Sequence, residues 1–198
     1  MSATVLYMSM SLDGFIAGPN ERLDNGLGNG GHRLHEWALP SADADHKEMA
    51  DHLTGANRRI VDEFMSTGAV VAGRGTFEPA GGWGGDHHGG VPIFILSRDP
   101  DSETGQWPLV TYVDDVATAM ARAKEAAGGR DVLVHGARTA RLALAAGVLD
   151  ELEIHQIPVL LGQGRRLFDG LGSDHIELEL TRVIDAPGVI HLRYRVRR

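Results

Sequence analysis

Three short, unbroken apolar runs constrain this 198-residue chain most: Ala69-Val70-Val71-Ala72, Ile93-Phe94-Ile95-Leu96 and Val132-Leu133-Val134. A strand with one face in water alternates apolar and polar residues, whereas a strand covered on both faces reads as a continuous apolar run. The runs are too short for helices and are separated by polar or helical stretches. They predict the middle of a largely parallel sheet with helices on both sides.

The rest of the chain fits that frame. Ala3 to Met10 reads as a first strand, and Gly18 to Pro40 as a long polar, glycine-rich loop. Ser41 to Thr67 reads as mostly helical, broken near Gly55. Arg74 to Glu78 opens a short helix, and Pro79 to Gly90 is a second glycine-rich loop. Strands follow at Ala69–Gly73, Val91–Ser97, Leu109–Val113, Asp131–His135 and Leu149–Val159. Helices follow from Asp114-Asp115 to about Ala127, where carboxylates suit the positive end of the dipole, and from Arg138 to Ala146. His175 to Ile184 and Val189 to Arg197 alternate around "DAPG" (Asp185 to Gly188), which predicts a closing hairpin and an antiparallel edge. No internal repeat or linker divides the chain, so residues 1–198 are expected to form a single α/β domain.

Composition excludes several classes. The net charge of −8 argues against a nucleic-acid or anionic-membrane surface, since both need clustered cations. Without cysteine there is no disulfide, thiolate nucleophile or Cys-based zinc site. No apolar run approaches the roughly 20 residues of a spanning helix. These features predict a soluble, cytoplasmic protein.

Chemistry is expected where the apolar runs end. In "VVAGRGTFE" (Val70 to Glu78), Gly73, Arg74 and Thr76 bring backbone N–H groups, a guanidinium and a hydroxyl to one turn, an anion site in physical terms or else a tight turn with an exposed arginine. "VLVHGARTARLAL" (Val132 to Leu144) repeats the device with Gly136, Ala137, Arg138 and Thr139, or else is an ordinary helix entry with Thr139 near the cap. "FILSR" (Phe94 to Arg98) supplies Ser97 and Arg98. Three such ends in an acidic protein predict a pocket for a multiply phosphorylated cofactor of the NADP type.

Other motifs carry less. "GLGNGG" (Gly26 to Gly31) matches G-x-G-x-x-G but follows a loop and opens no βαβ unit, so it reads as a flexible loop. His32, His35, His87 and His88 lie in loops without an H-E-x-x-H pattern and read as solvated or substrate-facing, with no metal expected. Asp13, in "MSMSLDGFIAGPN" (Met8 to Asn20), is a turn-former or an acid at the mouth of a site. His155 shares a strand face with Glu151, Glu153 and Ile157, as a proton relay, a substrate contact or a satisfied core histidine.

Taken in order, "MSMSLDGFIAGPN", "VVAGRGTFEPAGGW", "VPIFILSR" and "VLVHGARTARLALAAGVLDELEIHQIPVLLGQGRRLF" resemble the RibD C-terminal domain family, the reductase part of the riboflavin deaminase/reductase, which is similar to dihydrofolate reductase in fold. The resemblance implies a dihydrofolate reductase-like mixed sheet of eight or nine strands, with NADPH across the strand ends. It also implies a homodimer. By position, Gly73, Arg74 and Thr76 would hold cofactor phosphates, Ser97 and Arg98 would flank the 2′-phosphate, and Gly136 to Thr139 would cradle the diphosphate. Ile16 and Ala17 would cover the nicotinamide, and Leu161, Gly162 and Gly164, in the segment from Val159, would lie beside it. Trp37 would wall the substrate site, with Asp13 and His155 as further substrate contacts and weak catalytic candidates.

The acid that dihydrofolate reductases carry on their first helix has no clear counterpart; Asp62 and Glu63 are its candidates, against a solvated helix face. The implied activity is hydride transfer from NADPH to a pterin- or pyrimidine-like ring, as in dihydrofolate reductase and 5-amino-6-(5-phosphoribosylamino)uracil reductase. The alternatives are a nucleotide-binding protein of the same fold without turnover, and a metal-dependent hydrolase built on the loop histidines.

Overall fold

The computed structural model describes residues 2–39, 41, 46–99, 107–172 and 175–197, with backbone alone for 46–48. Pro40 and residues 42–45, where the predicted loop ends and the helical stretch begins, lie outside it.

One eight-stranded sheet runs through the molecule, built from β1 (Thr4–Ser11), β3 (Ala69–Gly73), β4 (Ile93–Leu96), β5 (Val110–Val113), β6 (Val132–Val134), β7 (Glu151–Ile157), β9 (Leu178–Ala186) and β10 (Val189–Val196). The order is β5-β4-β3-β6-β1-β7-β10-β9. All neighbours are parallel up to β7, and β10 runs antiparallel to both β7 and β9. A second pairing joins β2 (Phe15–Ala17) to β8 (Arg165–Arg166).

The three apolar runs are β3, β4 and β6, side by side in the sheet with both faces covered, as their composition requires. One face packs on α3 (Val116–Ala126) and α4 (Ala137–Ala145), where Leu6, Val71 and Val134 meet Ala119, Met120, Ala123 and Ala140. The other face packs on α1 (Gly55–Met65), where Val5, Tyr7, Val70 and Leu133 meet Phe64. α2 (Arg74–Phe77) is one turn, and 3-10 turns form at Gly31–Leu34, His46–His52 and Gly81–Gly85.

Local chemistry sets the boundaries. The Asp115 carboxylate accepts the Thr118 N–H at 2.7 Å and caps α3. The break before α1 falls at Leu53 and Thr54, next to Gly55, its first residue, held at φ 62°. β7 stops at Ile157, short of the predicted Val159, because Pro158 has no N–H for the ladder. The hairpin turns on Pro187-Gly188, with Gly188 at φ 79°. Among the described residues, no helix is long and apolar enough to cross a membrane.

Candidate active site

The ends of β3, β4 and β6 open into one cleft with two parts. The first, about 720 Å³, is lined by Gly73, Arg74, Thr76, Ser97, Arg98, Gly136, Ala137, Arg138, Thr139 and Gly164 among others. The second, about 920 Å³, is lined by Ile16, Ala17, Trp37 and His155 among others. Gly75, Thr76, Gly136 and Arg165 line both and join them.

Two glycines make the junction possible. Gly136 has φ 91°, and a Cβ there would sit 2.4 Å from Thr76 Oγ1, so the turns after β3 and β6 touch only because no side chain intervenes. Gly164 has φ 128°, and its Cβ would meet the Ala17 carbonyl at 2.0 Å, so the segment before β8 lies flat on β2.

The first part is lined by more cations than carboxylates. Six arginines line it against three aspartates. α4 begins there with Gly136 as its cap residue and no side chain bonding its first N–H groups, which leaves them for a ligand. These features fit the diphosphate and 2′-phosphate of an NADP-type cofactor. The Ser97 hydroxyl bonds the Asp99 backbone at 3.0 and 3.2 Å, which shapes the turn carrying Arg98.

The second part is an aromatic chamber. Trp37 donates its indole N–H to Ser9 Oγ at 3.0 Å and lies against His155 and His191, with ring centroids 4.7 and 4.9 Å apart. Trp83 forms another wall; it sits at φ 50° between Gly82 and Gly84, a backbone region that bulky residues rarely adopt. Burial, then His32, pushes the His35 imidazole down to about 4. Glu21 meets Arg165 at 2.8 Å, and burial raises its pKa despite that cation.

Several expectations change. Leu161, Gly162 and Asp13 are not part of either lining. The Asp13 carboxylate accepts the N–H groups of Leu161 and Gly162 at 3.1 and 2.7 Å and the Ser11 hydroxyl at 2.6 Å. Its hydrogen bonds, Ser11 foremost, hold the pKa down at about 2, which suits a permanent acceptor and not a proton donor. Asp62 pairs with Arg58 and Glu63 with Arg182; the α1 residues facing the chamber are Ile60, Val61 and Phe64. His87 and His88 are buried, not solvated: their Nδ1 atoms lie 2.7 Å apart and His88 bonds Thr67, while His87 also lines the chamber.

The loop histidines do not meet as a metal-ligand set among the described residues. Glu153, His155 and His191 do converge, with ligand atoms within 4.8 Å. Glu153, however, already faces Arg182 at 3.0 Å and Arg193 at 3.6 Å, two cations that oppose a third. Sequence reasoning missed Glu21, Trp83, His135 and Arg165. The "GQGRR" run (Gly162 to Arg166), so close to Gly164, was the one available signal for Arg165.

The fold has the dihydrofolate reductase-like form. A dihydrofolate reductase from Enterococcus faecalis, complexed with NADP(H), superimposes with a TM-score of 0.61 at 15% identity, covering 99% of this chain and 97% of its own. A putative riboflavin biosynthesis protein from Shewanella sp. PV-4 superimposes with a TM-score of 0.72 at 22% identity, covering 99% of both chains. The uncharacterized protein YwjB of Bacillus subtilis (strain 168) is 27% identical over 183 residues, 86% of this chain and 85% of that one. Residues 3–192 match the RibD C-terminal domain, and the chain belongs to that family.

Proposed function

We propose that the protein is an NADPH-dependent reductase that delivers hydride to a small heteroaromatic, pterin- or pyrimidine-like substrate. The observation that carries this reading is the join at Gly136 and Thr76, where an arginine-rich channel opens directly into an aromatic chamber. Such a cofactor supplies the hydride, while the protein supplies orientation, exclusion of water and a proton. The arginines and the α4 N-terminus hold phosphates, Ile16 and Ala17 give an apolar cover over the junction, and Trp37 fixes the plane of the ring. Glu21, a carboxyl with a raised pKa at the chamber, is the proton source. The protein works in the cytoplasm as a homodimer, without a nucleic-acid or membrane partner.

Fluorescence titration with NADPH and NADH, followed by NADPH oxidation across pterins and pyrimidines, tests this. Absence of NADPH binding at tens of micromolar refutes it. A second reading, nucleotide binding without turnover, draws on the apolar character of the α1 face at the chamber. It is favoured if NADPH binds and no ring in the panel is reduced.

A further inference from the structure

A directional chain of hydrogen bonds ends at the chamber. Asn57 Nδ2 donates to the Pro187 carbonyl at 3.4 Å, which leaves Oδ1 facing His191 Nε2 at 2.9 Å. An amide oxygen only accepts, so His191 carries its proton on Nε2. Burial keeps both histidines neutral, with His191 pushed down to about 4 and His155 well below the usual range. A neutral imidazole has one N–H, so His191 Nδ1 is bare and accepts from His155 Nδ1 at 2.9 Å. That places the single proton of His155 on Nδ1 and leaves Nε2 as an acceptor. His155 lines the chamber, and among the described residues no group bonds that nitrogen.

Charge gives a second, independent restriction. Around the chamber the described carboxylates are Glu21 and Asp24, and the described guanidinium is Arg165, already paired with Glu21. The arginine excess lies at the other end of the cleft. A phosphate group in the chamber would meet no unpaired guanidinium or ammonium among the described residues, and burying an unpaired charge is strongly unfavourable.

We propose that the chamber selects an uncharged heteroaromatic ring through a ring N–H donated to Nε2 of His155, and that it rejects the phosphorylated form of the same ring. The inference rests on reading the arginine-rich end as the cofactor's. It makes His155 a specificity-determining residue and sets this chain apart from reductases of phosphoribosyl substrates.

Two measurements on the full chain test it. Nitrogen-15 NMR of histidine-labelled protein at neutral pH is expected to show His155 protonated on Nδ1 and His191 on Nε2. A His155 protonated on Nε2, or doubly protonated, overturns the proposal. Tryptophan quenching is then read with 5-amino-6-(5-phosphoribosylamino)uracil before and after phosphatase treatment. The dephosphorylated ring is expected to bind at least about 100-fold more tightly and to shift the His155 Nε2 resonance. Equal or tighter binding of the phosphorylated form, or no quenching by either, overturns it.

Ala80→Arg adds a cation at an exposed position on the lining. It is expected to bring the phosphorylated form within about tenfold of the other, and absence of any gain refutes the charge argument. A parallel NADPH titration separates the two readings: a chamber preference without NADPH binding removes the reductase and keeps the ring specificity.

Discussion

Asp13 Oδ2 accepts the Gly162 N–H at 2.7 Å, tying the turn after β1 to the segment that precedes β8. The same carboxylate holds Leu161 N–H at 3.1 Å, and Arg166 donates to the Asp13 carbonyl at 2.9 Å. Asp13 thus positions the wall behind Ile16 and Ala17 without touching the cleft.

Asp13→Asn removes the negative charge from this clamp while keeping one acceptor oxygen. NADPH affinity and turnover should stay within about threefold of wild type, while the melting temperature falls. The folded carboxyl is depressed from 3.8 to about 2, so its contribution is present above the unfolded value and lost as pH falls through the folded one. Thermal melts should show a constant gap between wild type and variant near neutral pH, closing between about pH 4 and 2. A turnover loss with intact folding and cofactor binding would return Asp13 to the catalytic candidates.

Arg98 sits exposed where β4 ends, in the arginine-rich part of the cleft. Asp99 and Asp114 line the same end, so in the proposed reading selectivity for a 2′-phosphate would depend on this cation outweighing them. Arg98→Ala should weaken NADPH by about tenfold and leave NADH nearly unchanged, read as the ratio of the two dissociation constants. An equal loss for both would show that Arg98 serves another phosphate.

What the sequence displayed follows from the range of the interactions. β3, β4 and β6 were legible because two-sided burial writes itself into consecutive residues, and the α3 cap because Asp115 and Thr118 are three apart. The arginine-rich end of the cleft was legible because each strand, glycine and arginine is contiguous. The chamber was legible only in part, through Ile16, Ala17, Trp37 and His155; its links, Glu21 to Arg165 and His155 to His191 and then Asn57, join strands and loops distant in sequence. The link of Leu161 and Gly162 to Asp13 was not legible because it runs through backbone N–H groups, whose direction no side chain announces.

Glu21→Gln tests the proton source. The glutamine retains a hydrogen bond to Arg165 but has no proton to give. Turnover should fall by about tenfold or more, with NADPH affinity nearly unchanged. The wild-type rate should decline as pH rises through the raised pKa of Glu21, and that limb should vanish in the variant. A pH profile identical in both proteins would assign the proton to solvent.

Glu153 is fully buried in β7 between Arg182 and Arg193, and Arg182 also grips Glu63 with two bonds of 2.7 Å. Burial raises the Glu153 pKa, and the guanidiniums of Arg182 and Arg193 oppose that rise. Glu153→Ala leaves Arg193 deep in the sheet with less compensation. It should cost about 3 kcal/mol in urea denaturation, since breaking a buried pair strands the remaining charge. Glu153→Gln, which keeps an acceptor, should cost less.

An exposed apolar face is where the proposed homodimer would form. Leu178, Leu180 and Val183 on β9 pair across the ladder with Val196, Tyr194 and Leu192 on β10, placing all six on one face. That face continues the layer covered by α3 and α4, because Leu192, Tyr194 and Val196 pack against its core, yet Leu180 and Val183 are 52% and 55% exposed. We propose that this exposed apolar face is the dimer interface. Leu180→Glu should therefore convert a dimer to a monomer in sedimentation while the circular dichroism spectrum stays unchanged. A wild-type monomer at micromolar concentration would refute the assignment of this face.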